Sequence, residues 1–477
     1  YTLWHTLSLH DALPIWFSVI AILMLSMVAL GAWAGGGQEE AAGEAEEGPI
    51  TLTYWDHQFP WLVEWNKAAV ADYMEQNPDI TIEFSIDHAH QRDLPAMFAG
   101  EGPDVSAPHG PKVIQQMMAG QLAPIDLEAF PEFDSYEELK EAFFPGSLDP
   151  FTDEEGRIYA IPLEYDIPGL TLNEELFRMA GIDPTNPDNI PTYWDEVGEI
   201  GGEIFAEIGT DENGNVVYEG WDWPYSNRRA WQRNEIRTLF AQHGARFVDE
   251  DGNVLVDSPE AVEAMTLMRD LILDYNTGDP NALPGAEGRD WQIFEGTMAL
   301  GRFLAGEVAI MVASEEVRDD LKIYPYPRVR GRDHVITVRT HAWKVNADLS
   351  PRGQYEAWRF VNFLTQRWEE LASVGFNPVR VDQPDLDVPW YETDTFKQQV
   401  EETQSLQAIP FDVLAAGDVV WEIGSELYGT PEARLRNDEI TDVVADAQER
   451  IILRGDDVQT ALTEAREQIE GMMSVRQ

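Results

Sequence analysis

Imidazole and carboxylate groups recur at the ends of three apolar runs. ITLTYW (50–55) leads into Asp56, His57 and Gln58, ITIEFSI (80–86) into Asp87, His88, Ala89 and His90, and Val105-Ser106-Ala107 into Pro108 and His109. If these runs are neighbouring parallel strands, their carboxyl ends deliver the polar groups to one edge, where open α/β sheets bind ligands. Two chemistries suit such an edge. Carboxylates and imidazoles can hold the hydroxyls of a polyhydroxylated molecule, because a charged partner strengthens the hydrogen bond. Alternatively, His57, His88, His90 and His109 can together hold a transition metal, since imidazole is a common zinc ligand.

A sugar also needs apolar faces for its C–H surface, which indoles provide. Thirteen of the 16 Trp lie beyond residue 34. Trp55 closes the first run, and Trp221 and Trp223 sit in the Gly- and Pro-bounded segment GWDWPYSN (220–227); all three are candidates for ligand contact. Trp194, Trp358 and Trp368 read as core or helix packing. Ser314 and Glu315 follow an apolar run over 307–312 and are further polar candidates. The acidic loops DENG (211–214) and DEDG (249–252) lack the ligand spacing and closing Glu of an EF-hand, so turn chemistry explains both.

Strands and helices in alternation must position these groups. After the strand 50–55, Leu62, Val63, Ala69, Val70 and Tyr73 predict a helix over 62–76, stopped by Asn77-Pro78. A strand over 80–86, a helix over 91–99, a strand over 105–107 and a helix over 111–118 follow. This rhythm predicts a parallel sheet with right-handed crossovers. Further on, 169–172, 307–312, 335–338 and 341–345 read as strands, and DEEG (153–156) and DEDG as hairpin turns. The stretches 173–180, 191–208 (capped by Thr192), 259–275 (capped by Ser258), 289–305 and 352–374 read as helices, and the pattern is helical from 394 to the end.

Composition bounds the function. The chain has 477 residues, enough for two or three domains or one large bilobal unit. It carries 87 acidic against 32 basic residues, a formal net charge of −55, which argues against nucleic acid as a partner. The absence of cysteine excludes disulfides, thiolate metal sites, cysteine nucleophiles and a cysteine-linked lipid anchor. Only 6 of the basic residues are Lys and 26 are Arg; an acidic, lysine-poor surface suits a saline habitat. No nucleophile elbow, P-loop or zinc-protease motif occurs. Among so many acids a glycosidase-like carboxylate pair has no diagnostic power.

The first fifty residues read as lying outside the fold. Tyr1 to Ile15 lacks an initiator Met, and TLSLHDALPI (6–15) resembles a translated sequencing-adapter scar. An apolar run over 16–30 and the small-x-small motif Ala32-Trp33-Ala34 read as a cleaved signal peptide with Gly35 as the mature start; the competing reading is an uncleaved membrane anchor. GGGQEEAAGEAEEGP (35–49) reads as a flexible acidic tether.

Several segments together resemble the extracellular solute-binding proteins of ATP-driven importers, in the branch that binds sugars. They are AGEGPDV (99–105), GRIYAIPLEYDIPGLTLNEELFRMAGID (156–183), PTYWDE (191–196), the stretch 294–314, AWRFVNFL (357–364) and GFNPVR (375–380). Each is weak alone, and their order over more than 400 residues is the signal. The resemblance implies an α/β, bilobal periplasmic-binding-protein fold of two parallel-sheet lobes that close on a solute. It places lobe one at 50–158 and 311–346, lobe two at 163–305 and 354–477, and crossings near 159–163, 306–310 and 347–353. It adds Glu164, Asp166, Trp343 and Arg380 to the site, the first three beside crossings. The implied function is capture of a carbohydrate and delivery to membrane permease subunits, by a monomer outside the cytoplasmic membrane, with no cofactor and no catalysis. The alternatives are a metal-binding importer component, a glycan-active enzyme, and a surface adhesin or chemoreceptor partner.

Overall fold

Alternation in ITLTYW turns Leu52 and Tyr54 into a buried layer and forms strand β1 (Ile50–Trp55). The computed structural model describes residues 48–57, 60–86, 92–165, 167–221, 229–279, 296–305, 317, 320–373, 376–403, 419–421 and 424–474. Within them, β1 lies between two parallel neighbours, β2 (Ile80–Ser85) and β3 (Val105–Ser106). Strand β10 (Ala342–Val345) then runs antiparallel to β3 and to β4 (Ala160–Pro162), which closes a five-stranded sheet in the order β2-β1-β3-β10-β4.

Helices cover both faces of this sheet. On the Tyr54 face, Phe360 of the helix Pro351–Thr365 meets Tyr54 edge-on at 5.3 Å and Tyr73 of the helix Pro60–Gln76 at 5.0 Å. That helix starts where it does because the Ser350 side chain accepts from Gly353 N and Pro351 occupies the first turn. On the other face, Met97, Val113, Ile114, Phe151, Ala160 and Ala342 form a separate apolar cluster beneath the helices Asp93–Ala99 and Gly110–Met118.

A second sheet has the order β6-β7-β5-β8, from Glu219–Trp221, Met298–Ala305, Ile167–Asn173 and Leu321–Pro325. Here β5 is antiparallel to both β7 and β8, and β6 is parallel to β7. The helix Trp194–Ile208 lies so close to β6 that a Cβ on Gly220 would sit 1.8 Å from Gly201 O, so glycine is required there. Strands β9 (Ile336–Val338) and β11 (Val419–Trp421) pair in parallel, and β9 contacts the helix Arg229–His243. The helices Pro259–Leu273, Asn437–Arg454 and Val458–Ser474 complete this half.

Several expectations change. Both main sheets are mixed, because β10 enters the first antiparallel and β5 runs against its neighbours. Of 289–305 the described part is 296–305, and within it Met298–Ala305 is a strand: long-range pairing with β5 outweighs its helix-compatible local pattern. The helix expected over 352–374 is two, Pro351–Thr365 and Trp368–Ser373, and a strand interrupts the helical C-terminal stretch. Leu321–Pro325 and Ile336–Val338 pair with the second half, so most of the described part of 311–346 departs from the first. Conversely, Pro351–Thr365 and Trp368–Ser373 pack on the helix Pro60–Gln76. The chain therefore crosses between halves after Pro162 and again over 339–341, while 347–353 stays with the first half. The expected strand 307–312, the crossing 306–310 and the segments read as preface, signal and most of the tether lie outside the described residues.

Candidate functional site

β1 ends in a carboxylate that the fold saturates with donors. Asp56 is fully buried; its Oδ1 accepts from His57 N at 2.7 Å and from the His57 ring Nδ1 at 2.9 Å. Its Oδ2 accepts from the Tyr54 hydroxyl at 2.5 Å and Asn66 Nδ2 at 2.9 Å. Burial, and then the Asp56 charge, push the Tyr54 hydroxyl well above the usual tyrosine range. Trp343 Nε1 donates to the same hydroxyl at 3.2 Å.

The ends of β1 and β3 and both crossings converge beside this carboxylate. The His57 ring meets His341 edge-on at 4.1 Å, and His341 meets His109 at 4.6 Å. His109 immediately precedes the helix Gly110–Met118, whose Gly110 N donates to Thr340 O at 3.0 Å. Glu164, fully buried in the first crossing, accepts at Oε1 from His341 N at 3.0 Å and from its Nδ1 at 2.7 Å. Thr340 Oγ1 donates to Glu164 O at 2.6 Å, and Leu163 N to His341 O at 2.7 Å. The two crossings are thus stitched together by an acid–imidazole group: Asp56–His57 against His341–Glu164.

Aromatic rings flank the group. Tyr165, next to Glu164, lies 5.2 Å from Phe144 and 4.9 Å from Trp421. Asn377 holds its backbone on both sides, accepting from Tyr165 N at its carbonyl and donating from Nδ2 to Tyr165 O. Burial raises the Tyr165 hydroxyl well above its ordinary value. A cavity of about 380 Å³, within the usual size of small-ligand sites, adjoins Phe144 and is lined by Lys140, Phe143, Ser147 and Asp149 among others.

Of the residues the sequence singled out, Asp56, His57, His109 and Glu164 come together here, and Trp55 is half-buried at the end of β1. Three others belong to the interior. Trp343 is 1% exposed and stacks on Trp65, because alternation along β10 turns it into the layer under Pro60–Gln76. Trp221 is equally buried, edge-on to Trp194, and ends a strand rather than lying in a loop. Arg380 is buried and tied to Asn362, Thr365, Glu132 and Asp382 O, fixing the turn that carries Asn377. His88, His90, Asp166, Trp223, Ser314 and Glu315 lie outside the described residues. Among the described residues no set of three His, Asp or Glu is disposed to hold a metal ion. Sequence reasoning missed His341, Thr340, Asn66, Tyr165, Asn377 and Trp421. The usable signal was position: Tyr165 follows Glu164, and His341 opens the segment read as a strand.

The pattern of one protein family, bacterial extracellular solute-binding protein, matches residues 60–367. An arabinooligosaccharide-binding protein of Halalkalibacterium halodurans is 23% identical over 372 residues, covering 71% of this chain and 75% of its own. Among solved structures, the maltose-bound T. maritima protein MalE3 superposes with a TM-score of 0.65 at 21% identity, over 88% of this chain and 99% of its own. UgpB of Mycobacterium tuberculosis, in complex with glycerophosphocholine, superposes with a TM-score of 0.68 at 16% identity, over 90% and 98%. The fold is that of the bilobal periplasmic binding proteins.

Proposed function

Because the chain belongs to the bacterial extracellular solute-binding proteins, we propose that it captures a carbohydrate between its two halves and delivers it to the permease subunits of an ATP-driven membrane importer. The observation that carries this reading is the acid–imidazole group of Asp56, His57, His341 and Glu164. It lies at strand ends, where the chain passes from one sheet to the other. A solute seated there touches both halves and biases their hinge. Carboxylates and imidazoles suit hydroxyl groups, and Trp55 and Trp223 offer rings for a sugar face. His88, His109, Asp166, Ser314 and Glu315 complete the proposed lining. The arabinooligosaccharide and maltose ligands of the similar proteins agree with this class. A net charge of −55 disfavours anionic ligands such as uronates or phosphodiesters.

The protein acts by binding, without turnover, as an exported monomer. The acid-rich, lysine-poor composition favours a saline environment. A thermal-shift screen tests the function with neutral mono- and oligosaccharides, uronates and glycerophosphodiesters. At a hundredfold excess over Kd a ligand stabilises by about 2.7 kcal/mol, so a true ligand stands clear. One neutral sugar raising the melting temperature, and recovered intact after long incubation, is the expected result. A response to the glycerophosphodiester alone overturns the sugar class, and recovery of cleaved sugar overturns the absence of catalysis.

A further inference from the structure

We infer that a clasp of protein groups, distinct from the acid–imidazole group, ties the two halves together and sets how readily they close. The inference deepens the proposed function and rests on it, since it concerns control of the same site.

The clasp has a polar arm. In the second half, the short helix Pro431–Leu435 and the start of Asn437–Arg454 lie against the helix Gly110–Met118 and the turn Asp149–Phe151 of the first half. Arg434 Nη2 donates to Pro150 O at 3.0 Å, and Gln115 Nε2 donates to Leu435 O at 3.4 Å. Burial lowers the Lys112 ammonium below its ordinary range, opposed by the charges of Asp93 and then of Asp438 across the two halves. Asp438 is itself fixed by Arg233 at 2.8 Å and Arg237 at 2.9 Å, so it belongs to a rigid face of its own half.

The clasp also has an apolar arm. Trp421, on β11 of the second half, is almost fully buried and packs on Tyr165 of the first crossing, which in turn lies against Phe144 of the first half. Gly146 of the first half borders the same indole: a Cβ there would stand in ordinary contact, 3.4 Å from the Trp421 indole nitrogen, and the positive φ of 76° favours glycine.

Separating the halves must break both arms. Their partners are main-chain carbonyls, rings and charges of the protein itself, so they favour closure whether or not a solute is bound. The apparent dissociation constant of a ligand equals its intrinsic value divided by the fraction of protein in the competent arrangement. Arg434, Gln115 and Trp421 are therefore positioning residues that tune affinity without touching the sugar.

Small-angle scattering of the ligand-free protein tests this, on wild type and on Arg434→Met, Arg434→Lys, Gln115→Ala and Trp421→Ala, each checked for folding by circular dichroism. Affinity is read with the sugar that gives the largest thermal shift. Arg434→Met and Trp421→Ala should enlarge the radius of gyration and weaken that sugar on the order of tenfold, the loss expected for one good hydrogen bond or packed ring. Arg434→Lys should keep part of both properties, and Gln115→Ala should show the smallest change. An unchanged radius in Arg434→Met and Gln115→Ala overturns the clasp. So does weaker binding at unchanged radius, which would make these residues ligand contacts. If no sugar binds the wild type, the proposed function falls, and the scattering alone still decides the clasp.

Discussion

Two buried acid–base groupings lie a few residues apart along one segment, and their surroundings assign them different work. Lys344, on β10, reaches Asp93 at 3.2 Å, with both side chains fully buried. Ser106 Oγ donates to Asp93 at 2.6 Å, and Gln116 Nε2 donates to its other oxygen. These groups sit within the layer between sheet and helices and fix the helices Asp93–Ala99 and Gly110–Met118 to the strands. Three residues before Lys344, His341 meets Glu164 beside the Asp56–His57 pair, but at the strand ends where the chain changes halves. The lesson is one of location. A buried acid–base pair enclosed by one layer is a fastener, whereas one built where the chain changes halves is placed to respond when those halves move.

The largest test of this contrast removes the fastener. Asp93→Ala leaves the Lys344 charge buried without its carboxylate and should cost about 3–5 kcal/mol in denaturant unfolding. The double change Asp93→Ala with Lys344→Met should recover most of that, with ligand affinity unaffected in the folded protein. If affinity falls as far as stability, the two groupings are not separable.

Glu164→Gln keeps the shape of the hinge group and weakens its hold on His341. It should weaken ligand binding by about 1.5–3 kcal/mol, the range for a hydrogen bond to a charged group, with a smaller change in melting temperature. A large melting shift at unchanged affinity would make Glu164 a fastener too.

Alkaline pH acts on both regions with opposite signs. Tyr54 and Tyr165 are raised above their unfolded values, and Tyr73 is pushed up to about 12, so the stability they confer is intact below about pH 10 and is lost as pH rises past it. Lys344 is lowered by burial, so its contribution grows as pH climbs toward its unfolded value of 10.5. The tyrosines outnumber it, so the melting temperature should fall above about pH 10. A melting temperature flat through that window would contradict the burial of these hydroxyls.

The smallest expected effect is that of salt. Screening the self-repulsion of a chain with net charge −55 should raise stability by about 1 kcal/mol or less, in the surface rather than in either buried group. Stability independent of added salt would count against the saline reading.

Much of the fold and part of the site were legible from local pattern. Period-two alternation located β1 and β2, and with them Asp56 and His57 at a strand end; the first helices followed likewise. Indole placement was less legible. Trp221 and Trp343 drew notice as aromatics near a loop or a crossing, yet their burial depends on Trp194 and Trp65, which no local spacing reveals. Arg380 was recognisable as a polar group but not as a tie to Glu132 and Asn362.

The amino-acid order alone determined which residues end strands and what chemistry those ends carry, because side-chain direction in a strand repeats every two residues and needs no distant partner. Only the tertiary structure decided which ends meet. Glu164 finds His341 across 177 residues because the chain crosses between sheets twice at one place, and that coincidence is a property of long-range pairing rather than of any local run.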